Sequence, residues 1–368
     1  MSRGIGAVSH YKKPQKGLAS SPILVNWALT NRCNFSCSYC YSRMEKNDEL
    51  SRTQAQKVLK ILVDNNVLFL NVGGGEPLLR KDLFELAAYA TQLGLNISMN
   101  SNGYLLDKSA ALMVKKAGFN NVGISIDSHE ARAHDELRQM PGSYKRAVKA
   151  IKFLKETGVK VFISSVICRI NFKEFDKLVS FAKELEVERI NLHNYKCSGK
   201  GFTNKDRLDL KPDEWSDFYR RALIVQNKSK DMDIAFDDPI LALLKKDKRN
   251  EARNPIGRIL VKGSVCGKLT LYLKANADIT PCGFIPLRIG NLLKDDFKEL
   301  WAASPVLQSM RNKTPKGKCR KCKQYEDCWG GCTARAFAAG GDFNTPDPHC
   351  WYNPDGSIKL KKSKRSTQ

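Results

Sequence analysis

The sequence predicts an α/β protein with a parallel sheet in a partial (β/α)6 barrel, followed by a small cysteine-rich domain. Three observations support this prediction. Six strand-like runs alternate with helical segments between residues 23 and 193, polar or glycine-rich turns follow several strands, and the last third of the 368 residues holds seven of the twelve cysteines. Alternating strands and helices are typical of βα units around a parallel sheet. Six units are too few to close an eight-stranded barrel, so we expect an open one.

Short apolar runs bounded by turns predict the strands, and apolar residues at helical spacing predict the helices between them. The predicted strands cover residues 23–29, 67–72, 96–99, 122–126, 160–168 and 189–193. The predicted helices cover residues 52–64, 83–93, 110–117, 144–157 and 172–184. Because the runs 67–72 and 161–167 are almost continuously apolar, we expect both faces of these strands to be covered.

The same patterns predict five parts. A polar, glycine- and proline-containing start predicts a flexible lead, and the βα units form the barrel. A polar helical stretch with an apolar stripe at Trp215, Phe218 and Tyr219 forms a bridge to a cysteine- and glycine-rich domain, which a basic tail follows. The predicted bounds are 1–22 for the lead, 23–200 for the barrel, 201–258 for the bridge, 259–352 for the cysteine-rich domain and 353–368 for the tail.

Charge and hydropathy narrow the class of protein. The formal net charge is +24, which favours acidic partners, although scattered surface lysines would give the same total. Part of the excess positive charge lies in Tyr11–Lys16 and Lys359–Arg365.

No run of 18 apolar residues predicts a membrane span, and residues 1–10 lack the apolar core of a signal peptide. We therefore expect a cytoplasmic protein, in which twelve cysteines indicate metal binding rather than disulfides.

Three cysteines follow the first predicted strand. Cys33, Cys37 and Cys40 have the spacing C-x3-C-x2-C, in the loop at the carboxyl end of that strand. In barrel-like sheets this edge carries the chemistry. Three thiolates can hold three irons of a [4Fe–4S] cluster and leave the fourth iron open, whereas zinc prefers a closed set of four ligands.

This loop resembles the signature of the radical SAM superfamily, C-x3-C-x-aromatic-C, with Tyr39 at the aromatic position. The resemblance implies that the open iron binds the amino and carboxylate groups of S-adenosylmethionine (SAM). It also implies reductive cleavage of SAM to a 5′-deoxyadenosyl radical, which abstracts hydrogen from a substrate. The partial barrel of that superfamily matches the six predicted units. No catalytic acid or base is identified from the sequence.

Two further strand ends resemble SAM-binding motifs of the superfamily. The second strand ends in a GGEP motif, and the resemblance implies that Gly74, Gly75 and Glu76 bind the methionyl amine. Glycines there also allow the backbone to approach a ligand closely. The third strand ends in Asn100-Ser101-Asn102-Gly103, where the resemblance points to Asn100 or Asn102 as ribose ligands. A plain Asn-Gly turn would use the same residues.

The segment after the fourth strand resembles the pattern SxDG…HDxxR…GS of the superfamily. The resemblance implies that Ser125 and Arg138 hold the SAM carboxylate, for which a guanidinium is a natural partner. Ser128 stands where the superfamily usually has glycine, and His134 is expected to be structural.

The cysteines of the last third resemble the SPASM domain, which binds auxiliary iron–sulfur clusters. Its dense part reads C-x2-C-x5-C-x3-C from Cys319 to Cys332, and Ala277 replaces a usual glycine. The resemblance implies one auxiliary [4Fe–4S] cluster on Cys319, Cys322, Cys328 and Cys350, and another on Cys266, Cys282 and Cys332. The second set lacks one thiolate, for which Cys197 is a candidate. Zinc knuckles are the alternative interpretation.

Three functions are compatible with these motifs. The first is a maturase that modifies a side chain of a peptide or protein. The second modifies tetrapyrrole side chains in haem or haem d1 synthesis, which the sequence around Cys332-Thr333-Ala334-Arg335-Ala336 resembles and which the positive charge would suit. The third, a non-catalytic iron–sulfur or zinc protein that binds nucleic acid, is disfavoured because no nucleic-acid motif accompanies the charge. Both enzymatic functions require an electron donor such as ferredoxin or flavodoxin.

Overall fold

The structure is a computed structural model, and it describes residues 19–42, 48–244 and 263–355. Most of the predicted lead, the end of the predicted bridge and most of the basic tail lie outside these residues, as do both charged stretches named above. Among the described residues, no helix combines the length and hydropathy needed to cross a membrane.

Ten strands of the described residues form one sheet. They are β1 (Leu24–Thr30), β2 (Phe69–Gly74), β3 (Asn96–Ser101), β4 (Asn121–Ser125), β5 (Lys160–Ile167), β6 (Arg189–Asn194), β7 (Asp233–Phe236), β8 (Thr270–Leu273), β9 (Asp278–Thr280) and β10 (Gly290–Asn291). The spatial order is β10-β9-β8-β1-β2-β3-β4-β5-β6-β7. Strands β8 and β1 to β7 pair in parallel, whereas β8, β9 and β10 pair antiparallel. The ends of the sheet do not meet, which confirms the predicted open barrel.

Thirteen α-helices are described. They are α1 (Arg52–Asp64), α2 (Leu83–Gln92), α3 (Lys108–Lys116), α4 (Ala131–Arg138), α5 (Ser143–Glu156), α6 (Phe175–Glu184), α7 (Lys200–Thr203), α8 (Lys205–Leu208), α9 (Pro212–Lys228), α10 (Phe297–Ala303), α11 (Pro305–Arg311), α12 (Tyr325–Cys328) and α13 (Thr333–Gly340). A capping box precedes α1, in which the Ser51 and Gln54 side chains each accept from the other residue's backbone N–H. Asp107 is the N-cap residue of α3, and its carboxylate accepts from the Ala110 N–H. Side-chain caps of this kind fix where a helix starts, so the register of each apolar stripe is set.

The sheet extends beyond the six predicted strands at both edges. Strand β7 lies within the predicted bridge and pairs with β6, while β8 lies in the cysteine-rich part and pairs with β1. The cysteine-rich part is thus joined to the barrel by backbone hydrogen bonds. Ala277 has a φ of +69° in the β8–β9 turn, so an alanine occupies the left-handed conformation that glycine usually provides.

One face of the sheet is apolar and the other is polar. In β3, Ile97 and Met99 are buried under the helices, whereas the alternate residues Ser98 and Asn100 are partly exposed and donate to Asn71 Oδ1 at 3.2 and 3.1 Å. The expectation that residues 67–72 and 161–167 are covered on both faces is therefore wrong. Their alternate residues line the interior of an open barrel and stay partly exposed. This inner face is where a site can form.

A buried ion network also joins the two parts. The Arg335 guanidinium donates to Asp238 (Nη2–Oδ1 2.8 Å) at the end of β7 and to Asp347 (Nε–Oδ1 2.8 Å) in the cysteine-rich part. The side chains of all three residues are about 1% exposed. Asp347 additionally accepts from the backbone N–H of Cys332 at 2.8 Å. The position of that cysteine therefore depends on this network.

Candidate iron–sulfur and SAM site

The first cysteine loop leaves the carboxyl end of β1, as predicted. The thiols of Cys33, Cys37 and Cys40 are free and half-buried. Burial raises the pKa of Cys33 to about 11, and Glu76, Cys37 and Cys40 act in the same direction. Iron would displace these thiol protons, because metals bind the thiolate. Three half-buried thiols on one loop fit the open-site cluster inferred from the spacing.

The glycine turn after β2 lies directly against the start of this loop. Gly75 N–H donates to Thr30 O at 2.7 Å, and Glu76 N–H donates to Arg32 O at 2.8 Å. A Cβ on Gly75 would lie 2.0 Å from Arg32 O, and one on Gly74, whose φ is +106°, would lie 2.5 Å from Thr30 O. Only glycine permits this approach. The motif therefore fixes the loop to β2, while its predicted contact with SAM stays a prediction.

Glu76 is buried among hydrogen-bond donors of its own chain. Its carboxylate accepts from Ser101 Oγ at 2.8 Å, from Asn102 N–H at 2.8 Å and from Leu78 N–H at 3.2 Å. Burial raises the pKa of Glu76 to about 7, although the three hydrogen-bond donors act to lower it. The carboxylate thus links the ends of β2 and β3. These contacts do not test the prediction that Glu76 binds the amine of SAM.

The two predicted ribose ligands occupy different places. Asn102 Nδ2 donates to Asn34 Oδ1 at 2.8 Å, so this side chain lies beside the cysteine loop. Asn100 Nδ2 donates to Asn71 on the inner face, and its Oδ1 is a buried acceptor without a partner among the described residues. The Asn100 Oδ1 lies against Gly123, where an added Cβ would come within 2.3 Å of it.

Tyr39 and Arg138 share one carboxylate. The Tyr39 hydroxyl donates to Asp127 Oδ2 at 2.5 Å, and Arg138 Nε donates to the same oxygen at 2.7 Å. The Arg138 guanidinium lies 5.4 Å from the centre of the Tyr39 ring. Burial raises the pKa of Cys37, and the positive charge of Arg138 opposes this rise. Arg138 is therefore held beside the cysteine loop. Ser125, the last residue of β4, is partly exposed and in register with Ser164 of β5.

The remaining motif residues after β4 build the local fold. Asp135 accepts from Ser143 Oγ at 2.7 Å and from Tyr144 N–H at 2.8 Å, which caps the start of α5. Ser128 Oγ accepts from Glu130 N–H at 3.0 Å, so the turn forms without the usual glycine. His134 Nδ1 accepts from Asp127 N–H at 3.2 Å, as expected for a structural histidine.

His134 is expected to make stability depend on pH. Burial, and secondarily Arg138, lowers its pKa to about 4, whereas the unfolded chain should show roughly 6.5. The unfolded state therefore binds the proton first, and stability is lost as the pH falls from about 6.5 toward 4. Between pH 7 and 5 this loss is about 2 kcal/mol. Urea unfolding of wild type and His134→Gln at both pH values measures it, and an equal pH dependence in both proteins would contradict the assignment.

Four of the seven cysteines of the last third line one cavity, and the other three pack in a separate cluster. Cys319, Cys322, Cys328 and Cys350 line one cavity, which fits a four-thiolate cluster. Cys266 and Cys282 pack against the apolar cluster that contains the buried Cys332. These contacts place the second group together. The assignment of all seven as ligands stays a prediction.

Cys197 has a carboxylate as its hydrogen-bond partner. Its thiol donates to Asp209 Oδ2 at 3.7 Å, and the same carboxylate is bonded to His349 Nε2 at 3.1 Å. Since Asp209 engages this thiol, the contacts do not favour Cys197 as the missing fourth ligand.

Sequence reasoning missed a polar group on strands β5 to β7. His193 Nε2 lies 3.0 Å from Ser164 Oγ, and its Nδ1 lies 3.0 Å from Asp237 Oδ2. Lys196 Nζ donates to Asp237 Oδ2 at 3.2 Å and to Asn194 Oδ1 at 2.6 Å. Ser164 lies within β5, His193 lies within β6, and Asp237 directly follows β7. Asp237 follows a four-residue strand that was not predicted.

An aromatic contact connects this polar group with both cysteine regions. Lys196 Nζ lies 4.9 Å from the centre of the Phe284 ring, and that ring lies 4.4 Å from the ring of Tyr41. Tyr41 directly follows Cys40 in the chain, and Phe284 lies two residues after Cys282. The polar group therefore lies beside both the first loop and the second cysteine group.

Comparison with known proteins agrees with this geometry. Residues 27–182 match the family model of the radical SAM superfamily, and residues 266–323 match that of SPASM, an iron–sulfur cluster-binding domain. The chain is similar to the AdoMet-dependent heme synthase of Methanosarcina barkeri, with 28% identity over 92% of this chain and 98% of the relative. It is also similar to the mycofactocin maturase MftC of Mycobacterium tuberculosis, with 28% identity over 91% of this chain and 84% of the relative.

Solved structures share the fold. SuiB of Streptococcus suis bound to S-adenosylmethionine superposes with a TM-score of 0.75 at 20% identity, over 90% of this chain and 77% of SuiB. SuiB bound to its precursor peptide SuiA superposes with a TM-score of 0.73 at 20% identity, over 90% of this chain and 76% of SuiB. At this identity the likeness concerns the fold, which includes both the barrel and the cysteine-rich part.

Proposed function

Since this chain is a radical SAM enzyme with a C-terminal SPASM domain, we propose that it modifies a side chain of a peptide or protein. A [4Fe–4S] cluster and SAM bound at the first loop supply a 5′-deoxyadenosyl radical, which abstracts hydrogen from the substrate. The single observation that carries the proposal is the polar group of Ser164, His193 and Asp237. It faces the open interior beside the first loop, where a side chain of a larger substrate can enter.

The protein residues of this site have separate tasks. The glycine turn and Glu76 fix the loop of Cys33, Cys37 and Cys40 against the ends of β2 and β3. Asn102, Ser125 and Arg138 lie at neighbouring strand ends or beside the loop, where we propose that they bind SAM together with Asn100 on the inner face of β3.

His193 is suited to accept a proton from the substrate. Lys196 and His193 lower the pKa of Asp237 well below its usual range, so the carboxylate is charged and holds the imidazole through Nδ1–H. Nε2 is then an acceptor for the Ser164 hydroxyl. A substrate O–H or N–H beside Ser164 passes its proton to Oγ while the serine proton moves to Nε2. The electron pair stays on the substrate, and Asp237 balances the imidazolium.

Replacement of His193 by glutamine is expected to separate substrate turnover from SAM cleavage. Turnover should fall by at least about 100-fold, because general acid–base groups contribute on this scale. Formation of 5′-deoxyadenosine without substrate should remain at the wild-type level, since His193 does not contact the first loop. His129→Gln is a matched control, because its ring lies 3.8 Å from Glu130 and Glu174 instead. Equal turnover in the two variants would contradict the role of His193.

The substrate class is tested with a mixed peptide library and the anaerobically reconstituted enzyme. Mass spectrometry should show peptides whose mass changes only when SAM, reductant and intact Cys33, Cys37 and Cys40 are all present. The mycofactocin maturase among the relatives supports this class. A library without such changes, together with turnover of a non-peptide compound, would reject the proposal.

Tetrapyrrole modification is a second candidate function. The heme synthase relative aligns over 98% of its own length, and the net charge of +24 suits a polycarboxylate. Absorbance titration with an iron porphyrin that carries propionates separates the two candidates. A saturable Soret shift with SAM-dependent loss of carbon dioxide would establish the second candidate, and an unchanged spectrum would remove it.

Two properties beyond the site remain proposals. We propose an electron donor of the ferredoxin or flavodoxin type, because cleavage of SAM consumes an electron. We also propose a cytoplasmic location, which keeps the thiols reduced and available for iron.

A further inference from the structure

A short segment after β6 lies against the first cysteine loop. Lys200 N–H donates to Cys40 O at 2.9 Å, and Lys200 Nζ donates to Ser36 Oγ at 2.5 Å and to Ser36 O at 3.3 Å. Asn204 Nδ2 donates to Ser38 O at 2.8 Å. Three alternate carbonyls of the loop thus accept hydrogen bonds from two residues of one segment. A loop with its carbonyls bonded in this way has few backbone conformations left.

The approach of the two backbones is close. Gly199 has a φ of +55°, and a Cβ at this position would lie 2.6 Å from Cys40 O and 2.8 Å from Tyr41 Cα. A larger residue would push the segment away from the loop. The contact is therefore built into the backbone path at the end of β6.

The segment is itself anchored on both sides of Lys200 and Asn204. Upstream, the buried Tyr195 hydroxyl donates to Gly201 O at 2.5 Å. Downstream, Leu208 O accepts from Arg169 N–H at 2.8 Å. Arg207 forms an ion pair with Glu136 of α4 at 2.5 Å. Because these anchors lie outside the cysteine loop, the segment can restrain the loop rather than follow it.

We propose that Lys200 and Asn204 are positioning residues of the SAM-cleaving site. They hold the backbone of residues 36–40 so that the thiols of Cys37 and Cys40 converge with Cys33 on one cluster. Neither side chain needs to contact SAM or a substrate. The proposal therefore holds for any substrate and does not depend on the peptide proposal above.

The variants Lys200→Met, Asn204→Ala and Asn204→Asp test this role in the full-length reconstituted enzyme. The aspartate keeps the size of asparagine but cannot donate a hydrogen bond when charged, so it should behave like alanine. Lys205→Met is the matched control, because Lys205 is an exposed lysine of the same segment. Iron affinity of the first site is measured by chelator competition. The iron retained by a Cys33/Cys37/Cys40→Ala variant is subtracted, so that only this site is counted.

We expect the iron affinity of the first site to fall about 10- to 100-fold in the three variants, as for other residues that orient metal ligands. The change that SAM causes in the electron paramagnetic resonance spectrum should weaken in parallel. Lys205→Met and the remaining iron should be unaffected. Wild-type affinity with a normal SAM response would overturn the proposal, and so would proportional loss of iron from all sites, which indicates general unfolding.

Discussion

Replacement of Arg335 by methionine is expected to lower the free energy of unfolding by about 3–5 kcal/mol. The substitution leaves the carboxylates of Asp238 and Asp347 buried without their cation, and removal of one partner from a buried ion network has costs of this size. Asp238 also accepts from Tyr219 Oη at 2.5 Å, so the disturbance reaches α9. Urea denaturation of the apoprotein under anaerobic conditions measures the loss.

Arg189→Met provides the control for Arg335. Its ion pair with Asp233 is equally short, at 2.7 Å, but the two side chains are 53% and 40% exposed. Exposed pairs contribute roughly 0–1 kcal/mol, so this variant should be nearly as stable as wild type. Arg335→Lys should stay strongly destabilised, because an ammonium cannot donate in the forked geometry that both carboxylates use. Equal stability of Arg335→Met and Arg189→Met would contradict a structural role for the network.

Replacement of Gly75 by alanine is expected to lower the rate of SAM cleavage at least about 100-fold. The added Cβ would lie 2.0 Å from Arg32 O, in a backbone that carries Cys33 one residue later. The cysteine loop must move, and displacements near 1 Å in a reactive site reduce rates roughly 100-fold or more. Formation of 5′-deoxyadenosine per reconstituted protein is the measurement.

Gly340→Ala is the matched control for Gly75. Gly340 ends α13, and its nearest atom to an added Cβ is Thr345 Cγ2 at 3.4 Å, an ordinary contact. This variant should cleave SAM at the wild-type rate. Retained cleavage in Gly75→Ala would show that the loop is not held by the glycine turn.

The barrel could be predicted because its signals are local. Continuous apolar runs indicated β1 to β6, and helical spacing gave α1 its observed bounds. Strands β7 and β8 were missed because each has four residues and is formed through pairing with a distant edge. Helix α4 was missed because its sequence is mostly charged, and only His134, Leu137 and Arg138 are buried.

The candidate site could likewise be predicted only where its signals are local. Cysteine spacing indicated the first loop, because sequence neighbours on one loop stay close in space, whereas the grouping of the later cysteines came from the family resemblance. The contacts of Ser164, His193 and Asp237 join three separate strands, so no local pattern reports them. Similarly, the sequence offered no sign that Glu76 bonds the loop after β3, since its partners lie about 25 residues away.

The central claim is that the first cysteine loop performs reductive cleavage of SAM. The most direct test quantifies 5′-deoxyadenosine from the anaerobically reconstituted enzyme with a strong reductant and SAM, beside the Cys33/Cys37/Cys40→Ala variant. We expect product from the wild type and none above background from the variant, with the cysteine-rich part still holding its iron. Absence of product from a wild-type protein that holds its full iron and sulfide would contradict the claim.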